Sequence, residues 1–524
     1  MLETETPHDI PPVVETSLVP SQLQAFIHAY RIAINGFIYL PSDFDPDSSD
    51  ESATAATSSQ NFKSALRDIK IAIGAQSVGN DPITIQVERF FFARGQQVAF
   101  AGMIETPSLE LVKLFLLMAF YMMGACRRNA AFMYLGVAAR GAVALGLHLK
   151  DSTRSVSINE QRERTCAWMS LCTLDLMSSS ILGRPPATAN IRSEYNAKAL
   201  DLEEPSPVEE RLVASYRMSQ ILDEIIVRLY GETAASTDTA ESLLAKLNEW
   251  SDTLPGSVLT SPASEVELLT AQPHIIGSLH VACSYHFAVI IVSRPFLISS
   301  LGVRLARLCN SPGDDDEFLQ EDAAHNKLAS ACTDSALYMM QTCMEVHHSG
   351  LLLGNMCIMK AFVFAAALVL GFSMFSRKER DSGIEQAFNG ALEILHTLAQ
   401  KSAQASHYYE ILTSLKNAIT AQRQRLMQYP PQNKTRYVSK LFSLNSSRSM
   451  PGFQNPVTLS VETDDPSMPT TPNILDSWSL MDAVSQDSTF SGWEGLELPL
   501  WDSFPFIDGS IPVSSRTSES NPAL

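Results

Sequence analysis

Apolar residues recur every three or four positions through most of the chain, a spacing that places them on one face of an α-helix. They do so between residues 61 and 191 and again between 207 and 427, and turn-rich pieces at 267–273 and 309–318 break the second block. No stretch shows sustained alternation of apolar and polar residues rich in Val, Ile and Thr, which is the pattern of a strand. The sequence therefore predicts an all-α protein of stacked antiparallel helical hairpins.

Residues 108–147 predict one of these hairpins. Ser108 stands where its side chain can cap the first helix, and the chain turns between Gly124 and Arg128. Gly146 has the position of a residue that ends the second helix in the left-handed conformation.

The second helix of this hairpin has an apolar face and two interior glycines. The apolar positions follow one another at helical steps: Ala131, Leu135, Ala138, Ala142 and Leu145. Gly136 and Gly141 each cost roughly 1 kcal/mol relative to alanine, so we expect a neighbouring helix to approach closely at both. Charges interrupt the apolar run at both ends and at Arg140, which favours protein core over a membrane span.

A second apolar stretch, 361–375, has fifteen uncharged residues between Lys360 and Arg377. A membrane-spanning helix needs about 20 apolar residues, and a longer span here would bury Lys360. We predict a core helix and no membrane segment.

Net charge and cysteine spacing narrow the function classes. The net charge is −19, and phosphate contacts need a basic face, so the polypeptide as it stands is not expected to be a DNA-binding module. No two of its eight cysteines lie within five residues of each other, which excludes zinc-finger spacing. The cysteines lie in apolar helical stretches, so we expect reduced, buried thiols in an intracellular protein.

No enzyme motif is present, so we predict that the protein is not an enzyme. The sequence contains no GxGxxG, GxxxxGK[ST], HExxH or GxSxG. The acidic run 314–317 could suggest the magnesium site of a helical isoprenoid synthase, but Phe318 stands where the last aspartate is needed. His347 and His348 point about 100° apart on a helix, so we expect no metal site there.

Four segments in a fixed order resemble the regulatory (middle homology) domain of fungal-specific transcription factors. They are ERFFFARGQQVAF (88–100), GACRRNAAFMYLGVAARGAVALGLH (124–148), NEQRERTCAWMSLCTLDLMSSSILGRPPA (159–187) and YHFAVIIVSRPFL (285–297). The positions that carry the resemblance are Arg140, Gly146, His148, Trp168, Asp175, Gly183, Arg184 and Pro185. Ala167 and Leu176 depart from the family pattern at positions that we expect to affect packing only.

The element LGRPPA ends a helix on physical grounds alone. Gly183 ends it and Pro185 prevents its continuation. Arg184 lies within reach of the last carbonyl groups of that helix and of Asp175. A structural clamp and a contact for a small effector or another subunit both remain open, and neither makes Arg184 a catalytic group.

The resemblance implies a nuclear protein that binds DNA through a six-cysteine binuclear zinc cluster. No cysteine precedes Cys126, and Arg31 is the one basic residue among the first 60. No cofactor is therefore expected in this chain, and zinc is expected only if such a cluster lies upstream of Met1. Two interpretations stay open: a reading frame that begins downstream of a first exon, or a regulator without a DNA-binding module that works through partners.

The C-terminal region predicts an activation segment. From 449 to 515 there is no Lys or Arg, and ten acidic residues are interleaved with aromatic and leucine side chains. Acidic groups keep exposed aromatic side chains in solution until a partner binds them. The aromatic positions that we expect to bind a coactivator or the transcription machinery are Trp478, Trp493, Trp501, Phe504 and Phe506. Docking of the tail on its own helical body is the alternative.

These patterns predict four parts: a disordered N-terminus (1–20), a regulatory domain (21–310) with an acidic spacer (42–61), a further helical part of the same body (311–427), and a disordered acidic-aromatic tail (428–524). We predict a nuclear fungal transcription regulator of RNA polymerase II genes. The alternative is a helical metabolite-sensing or scaffold co-regulator that acts through protein partners without contacting DNA. A homodimer and a small-molecule effector are left open.

Overall fold

Fourteen α-helices make up the described part of the chain. The computed structural model describes residues 18–41, 57–79, 81–102, 107–149, 156–189, 191, 205–230, 236–259, 270–309, 323–376 and 380–428. Within these ranges there is no strand, and the predicted all-α class is confirmed. The helices are α1 (Pro20–Ile34), α2 (Thr57–Val78), α3 (Pro82–Gly102), α4 (Leu109–Gly124), α5 (Arg128–Ala144), α6 (Ile158–Leu182), α7 (Pro207–Tyr230), α8 (Thr237–Asp252), α9 (Gly256–Leu259), α10 (Gln272–Cys309), α11 (Ala323–His348), α12 (Met359–Ser376), α13 (Ser382–Ala399) and α14 (Ala403–Gln428).

Helices that follow one another in the sequence pack against each other. The main pairs are α1 with α2, α2 with α3, α4 with α5, α6 with α7, and α10 with α11. The described residues up to Leu415 belong to one compact unit, and a second unit begins at Lys416 within α14.

The α4–α5 hairpin forms as the sequence predicts. The backbone N–H of Leu111 donates to Ser108 Oγ at 3.2 Å, so Ser108 caps α4. At the other end of the hairpin Gly146 has φ of +69°. The N–H of Leu147 donates to the Ala142 carbonyl at 2.9 Å, which closes the last turn of α5.

Close approach is found at one of the two glycines inside α5. A Cβ atom at Gly141 would lie 3.2 Å from Val112 Cγ2 of α4, so a neighbouring helix does approach there. A Cβ atom at Gly136 would meet no atom within 4 Å. The expectation for Gly136 is wrong, because this residue faces open space on the outer side of α5.

Helix α6 is buried on every side over its last five turns. All residues from Thr165 to Leu182 are buried, including several with polar side chains. Helices α4, α5 and α7 pack around it, and the backbone N–H of Tyr39, in the segment after α1, donates to Ser170 Oγ at 3.0 Å. A helix with no solvent-facing side belongs to the centre of a protein.

Three consecutive charged residues near the start of α6 tie it to three other helices. Arg162 binds both carboxylate oxygens of Glu209 in α7. Glu163 accepts from the ammonium group of Lys113 in α4, and Arg164 Nη2 donates to the Leu145 carbonyl oxygen at the end of α5 at 2.7 Å. Charged groups therefore fix the base of α6.

The predicted core helix at 361–375 is confirmed as α12, and Lys360 in its first turn is 0% exposed. Helix α10 contains a segment, Gln272–Gly302, that is long and apolar enough to cross a membrane by length and composition. Its most apolar window is 72% buried inside the protein, where α10 packs against α7, α11 and α12. This is the behaviour of a core helix.

The contact between α1 and α2 depends on Gly74. A Cβ atom at that position would overlap the backbone carbonyl of Phe26. We expect Gly74→Ala to lower the free energy of unfolding by about 1–3 kcal/mol, because backbone atoms cannot move aside as a side chain can. The matched control is Gly136→Ala, which adds a methyl group in open space and should be neutral or stabilising by up to about 1 kcal/mol. Urea unfolding followed by circular dichroism measures both, and equal effects would contradict this packing.

The pair Arg162–Glu209 gives a second prediction. The Glu209 side chain is 0% exposed and that of Arg162 is 35% exposed. We expect Arg162→Met to cost about 2–3 kcal/mol, less than a fully buried pair because Arg162 retains some solvent. The control is Arg228→Met, which removes an exposed pair with Glu224 and should cost less than about 1 kcal/mol.

The cost of Arg162→Met should depend on pH in a defined direction. Burial raises the pKa of Glu209, but the hydrogen bonds from Arg162 and Ser206 outweigh it and hold the pKa below its ordinary value. A lowered carboxyl pKa contributes stability above the unfolded pKa, roughly 4.3, and loses it as the pH falls through the folded value. The difference between wild type and variant should therefore shrink below about pH 4. A constant difference from pH 7 to pH 3 would contradict the assignment.

Candidate functional site

The family-like residues at the end of α5 and within α6 lie in or beside the core. Trp168 is 0% exposed, and its ring centroid lies 6.2 Å from that of His148, which follows α5. Gly146 closes α5, as described above, and the side chain of Arg164 binds the neighbouring carbonyl of Leu145. These residues join the end of α5 to the middle of α6.

Asp175 fixes the segment that follows α6. It is 0% exposed, and its Oδ2 atom accepts from the Thr188 backbone N–H at 2.8 Å and from Thr188 Oγ1 at 2.7 Å. Since Thr188 comes after the two prolines of LGRPPA, this carboxylate holds the exit chain against the helix that it has just left.

Arg184 binds α5 and not Asp175, which corrects the sequence-based expectation for this pair. Gly183 is left-handed with φ of +66° and ends α6, so the chain turns and Arg184 points towards α5. Its guanidinium donates to Asn129 Oδ1 and lies 5.1 Å from the centroid of the Phe132 ring. The interpretation of Arg184 as a structural clamp is consistent with this geometry, with a different partner.

Arg140 and Pro185, the remaining predicted positions of the helical body, do not lie together in one site. Arg140 is exposed on the outer side of α5, and Pro185 is exposed after α6. The aromatic positions of the tail, Trp478, Trp493, Trp501, Phe504 and Phe506, lie outside the described residues, as do the acidic spacer up to residue 56 and the N-terminus up to residue 17.

A zinc cluster does not fit the residues that the structure describes. The cysteines whose side chains are described are buried or half-buried, and they are spread over α6, α10, α11, the segment that follows α4 and the segment that precedes α12. Over the described ranges, no group of three or more His, Cys, Asp or Glu side chains could hold a metal ion. The described helices therefore supply no ligands for the binuclear cluster that the family resemblance implies.

A cleft between α1, α2 and α3 is a candidate binding site that the sequence did not reveal. Its volume is about 380 Å³. Its wall combines apolar residues with charged and polar ones, and the members are Leu18, Leu23, Asn61, Ser64, Ala65, Arg67, Asp68, Ile71, Phe91, Arg94 and Val98.

An ion pair organises the charged side of the cleft. Arg94 Nε and Nη2 donate to the two oxygens of the buried Asp68, each at 2.6 Å, and the guanidinium lies 4.9 Å from the centroid of the Phe91 ring. Arg67 adds a second cation, so the lining carries one more positive than negative charge. Apolar walls beside an excess cation suit a small organic anion. The signal in the sequence was the arginine of ERFFFARGQQVAF, but its partner Asp68 lies 26 residues away.

Comparison with known proteins agrees with the resemblance seen in the sequence. The family model described as fungal specific transcription factor domain matches residues 44–230. An uncharacterized transcriptional regulatory protein of Schizosaccharomyces pombe is 27% identical over 202 residues, which is 37% of this chain and 25% of that protein. Transcription factor FBD3 of Gibberella moniliformis is 24% identical over 307 residues, or 53% of this chain and 40% of its own.

A third relative, the transcriptional activator protein acu-15 of Neurospora crassa, is 26% identical over 192 residues, or 33% of this chain and 20% of its own. The chain thus spans between 20% and 40% of the length of these relatives. The matched region runs from the segment before α2 to the end of α7, and it includes α6 and the helices packed around it. Residues 44–230 of this chain thus match the fungal specific transcription factor domain, in agreement with the resemblance of the sequence.

Proposed function

We propose that this protein is a nuclear regulator of genes transcribed by RNA polymerase II in a fungus, with the helical body as its regulatory domain and the acidic-aromatic tail as its activation segment. The observation that carries the proposal is the fungal specific transcription factor domain at 44–230, together with relatives that are named as transcription regulators. The buried, structural role of the family-like residues agrees with a domain that does no chemistry.

DNA binding is proposed only because the family resemblance implies it. The family resemblance implies DNA contact through a zinc cluster, and the described helices do not supply its ligands. The net charge of −19 is also unfavourable for contact with phosphates. In our proposal the helical body regulates activity and the tail recruits a coactivator. Contact with DNA is made by residues other than those of α1–α14.

The tail is proposed to recruit a coactivator through its aromatic side chains. The segment 449–515 carries ten acidic residues and no Lys or Arg, and it holds three of the five tryptophans of the chain. Carboxylates supply screened, long-range attraction, whereas an aromatic side chain buried in a partner contributes about 1.5–3 kcal/mol. The aromatic residues should therefore dominate the affinity.

A reporter experiment tests this proposal. The full chain is fused to an unrelated DNA-binding domain, and transcription is compared with that of a variant in which Trp493, Trp501, Phe504 and Phe506 are replaced by alanine. We expect the parent fusion to activate and the variant to lose most of its activity, because four buried aromatic contacts disappear.

The matched control replaces four serines of the same region, Ser485, Ser488, Ser491 and Ser503, by alanine, and it should keep the activity of the parent. A silent parent fusion, or a four-aromatic variant as active as the parent, would remove the activation role from the proposal. Immunoblots establish that all fusions are present at equal amounts.

The cleft between α1, α2 and α3 favours a second candidate function, a helical co-regulator that senses a metabolite. Its volume of about 380 Å³ lies within the range of small-molecule sites, roughly 300–1,000 Å³. The ligand class that its lining suits is a small amphiphilic anion, because Arg67 and Arg94 stand beside apolar side chains with Asp68 as their one carboxylate in the lining.

The fluorescent anion anilinonaphthalene sulfonate can test the cleft. We expect the purified full chain to bind this probe, and Arg67→Glu to weaken binding by about threefold to tenfold, the effect of roughly 1 kcal/mol in a partly exposed site. The control is Lys63→Glu, an equal charge reversal one turn earlier on α2 that does not line the cleft. Equal weakening by both variants would show that the probe responds to net charge, and the sensing function would lose its support.

A further inference from the structure

Lys360 lies in the first turn of α12 and is 0% exposed. Its Nζ atom donates to Ser402 Oγ at 2.9 Å and to Asn355 Oδ1 at 3.5 Å, and it lies 3.9 Å from Cys126 Sγ. Lysine is among the residues that are almost never fully buried unless they are paired. We therefore ask which group balances the positive charge of this ammonium group.

None of the hydrogen-bond partners of Lys360 is a carboxylate. A buried charge without an opposite charge costs several kcal/mol, whereas the other buried lysine of the core, Lys113, has Glu163 as its partner. Among the three groups around Lys360 Nζ, the Cys126 thiol is the one that can take a negative charge by losing a proton. Only Cys126, among these three groups, can therefore supply the negative charge that balances the Lys360 ammonium.

The position of Cys126 is unusual for a residue with a side chain. It follows α4 with φ of +60°, in the left-handed position that Gly146 and Gly183 occupy after α5 and α6. The N–H of Arg127 donates to the Met122 carbonyl at 2.8 Å, so the geometry is that of a Schellman end. A left-handed residue other than glycine costs roughly 1–2 kcal/mol. The thiol is placed in the cluster in spite of that cost.

The electrostatics around Cys126 favour the thiolate. Burial raises its pKa, but Lys360, the hydrogen bond to Ser402 and the backbone of Gln404 together outweigh burial and lower the pKa below its ordinary value. Arg128 acts in the same direction. The distance between Cys126 Sγ and Ser402 Oγ is 3.5 Å.

Other cysteines of the chain provide a contrast. Cys166 lies 3.9 Å from the carboxylate of Glu209, and burial together with that carboxylate raises its pKa. Burial also raises the pKa of Cys332 and that of Cys357 to about 12. The pKa of Cys126 is thus shifted downwards, whereas the pKa values of these three thiols are shifted upwards.

We propose that Cys126 and Lys360 form a buried thiolate–ammonium pair, and that this pair is a modification site at which a hydroperoxide oxidises Cys126 to a sulfenic acid. The proposal is independent of the regulatory function proposed above. It rests on the contacts among Lys360, Cys126, Ser402 and Asn355.

The step balances with hydrogen peroxide as the oxidant. The thiolate sulfur attacks one peroxide oxygen, the O–O bond breaks and an S–O bond forms, so that sulfur loses two electrons and the peroxide gains them. The leaving hydroxide takes a proton from the Lys360 ammonium and departs as water. The products are a neutral sulfenic acid and a neutral amine, and the attraction between two charges is lost.

The pair lies where the family domain meets the helices that follow it. Asn355 Nδ2 donates to the Gly124 carbonyl at 3.2 Å, and the Gly354 N–H donates to the Ser77 carbonyl at 2.9 Å. Ser402 immediately precedes α14. Oxidation at Cys126 adds an oxygen atom to this packed joint between α4, α12 and α14, and we expect it to lower the thermal midpoint.

The experiment treats the purified full chain with hydrogen peroxide in the presence of dimedone, which traps sulfenic acids, and measures labelling of each cysteine peptide by mass spectrometry. We expect Cys126 to be labelled at pH 7 and Cys166 and Cys332 to remain unlabelled. In Lys360→Met, labelling at Cys126 should fall by about tenfold or more, because an opposite charge at this distance, which favours the thiolate, is removed.

Lys401→Met is the matched control, because Lys401 donates to the Val78 carbonyl at 2.6 Å, away from the thiol, and it should leave the labelling of Cys126 unchanged. The pH profile of labelling in the wild type serves if Lys360→Met fails to fold. Its midpoint should lie below the ordinary thiol value of about 8.5, since Lys360 and Arg128 face Cys126 while Tyr408 and Cys357 bear no charge there at neutral pH. Labelling of Cys126 no faster than that of Cys166, or unaffected by Lys360→Met in a folded variant, would overturn the proposal.

Discussion

The architecture depends on the burial of α6 from all sides. Its residues from Thr165 to Leu182 are all buried, so every neighbouring helix must present a complementary surface to it. The base of the helix is held by charges, through Arg162, Glu163 and Arg164. Its end is held by Asp175, whose carboxylate binds the chain that leaves the helix. The positions of α4, α5 and α7 therefore depend on their packing against α6.

This constraint also fixes the family-like residues of α6. Trp168 and Asp175 are fully buried, and Arg184 is engaged with α5. The groups that they touch belong to α5, to α6 and to the segments that follow these two helices. The cleft beside Arg94, in contrast, combines accessible volume with an excess of positive charge.

Local signals in the sequence were sufficient for the elements but not for their partners. The cap at Ser108 and the left-handed Gly146 depend on neighbours within a few residues, so they could be predicted, and both are confirmed. The partner of Arg162 lies 47 residues away and that of Lys113 lies 50 residues away, and no periodicity encodes such pairs. Gly136 shows the converse, because an interior glycine alone does not reveal whether another helix lies over it.

Two buried lysines show why charge burial has to be judged from the assembled fold. Both precede apolar stretches of a helix, but Lys113 meets a carboxylate and Lys360 meets a serine, an asparagine and a thiol. The first arrangement is an ion pair between two side chains. In the second, the opposite charge depends on the protonation and oxidation state of one sulfur atom. The stability of the contact between α4 and α12 therefore depends on the pH and on the presence of an oxidant. The stability of the ion pairs around α6 does not depend on a thiol.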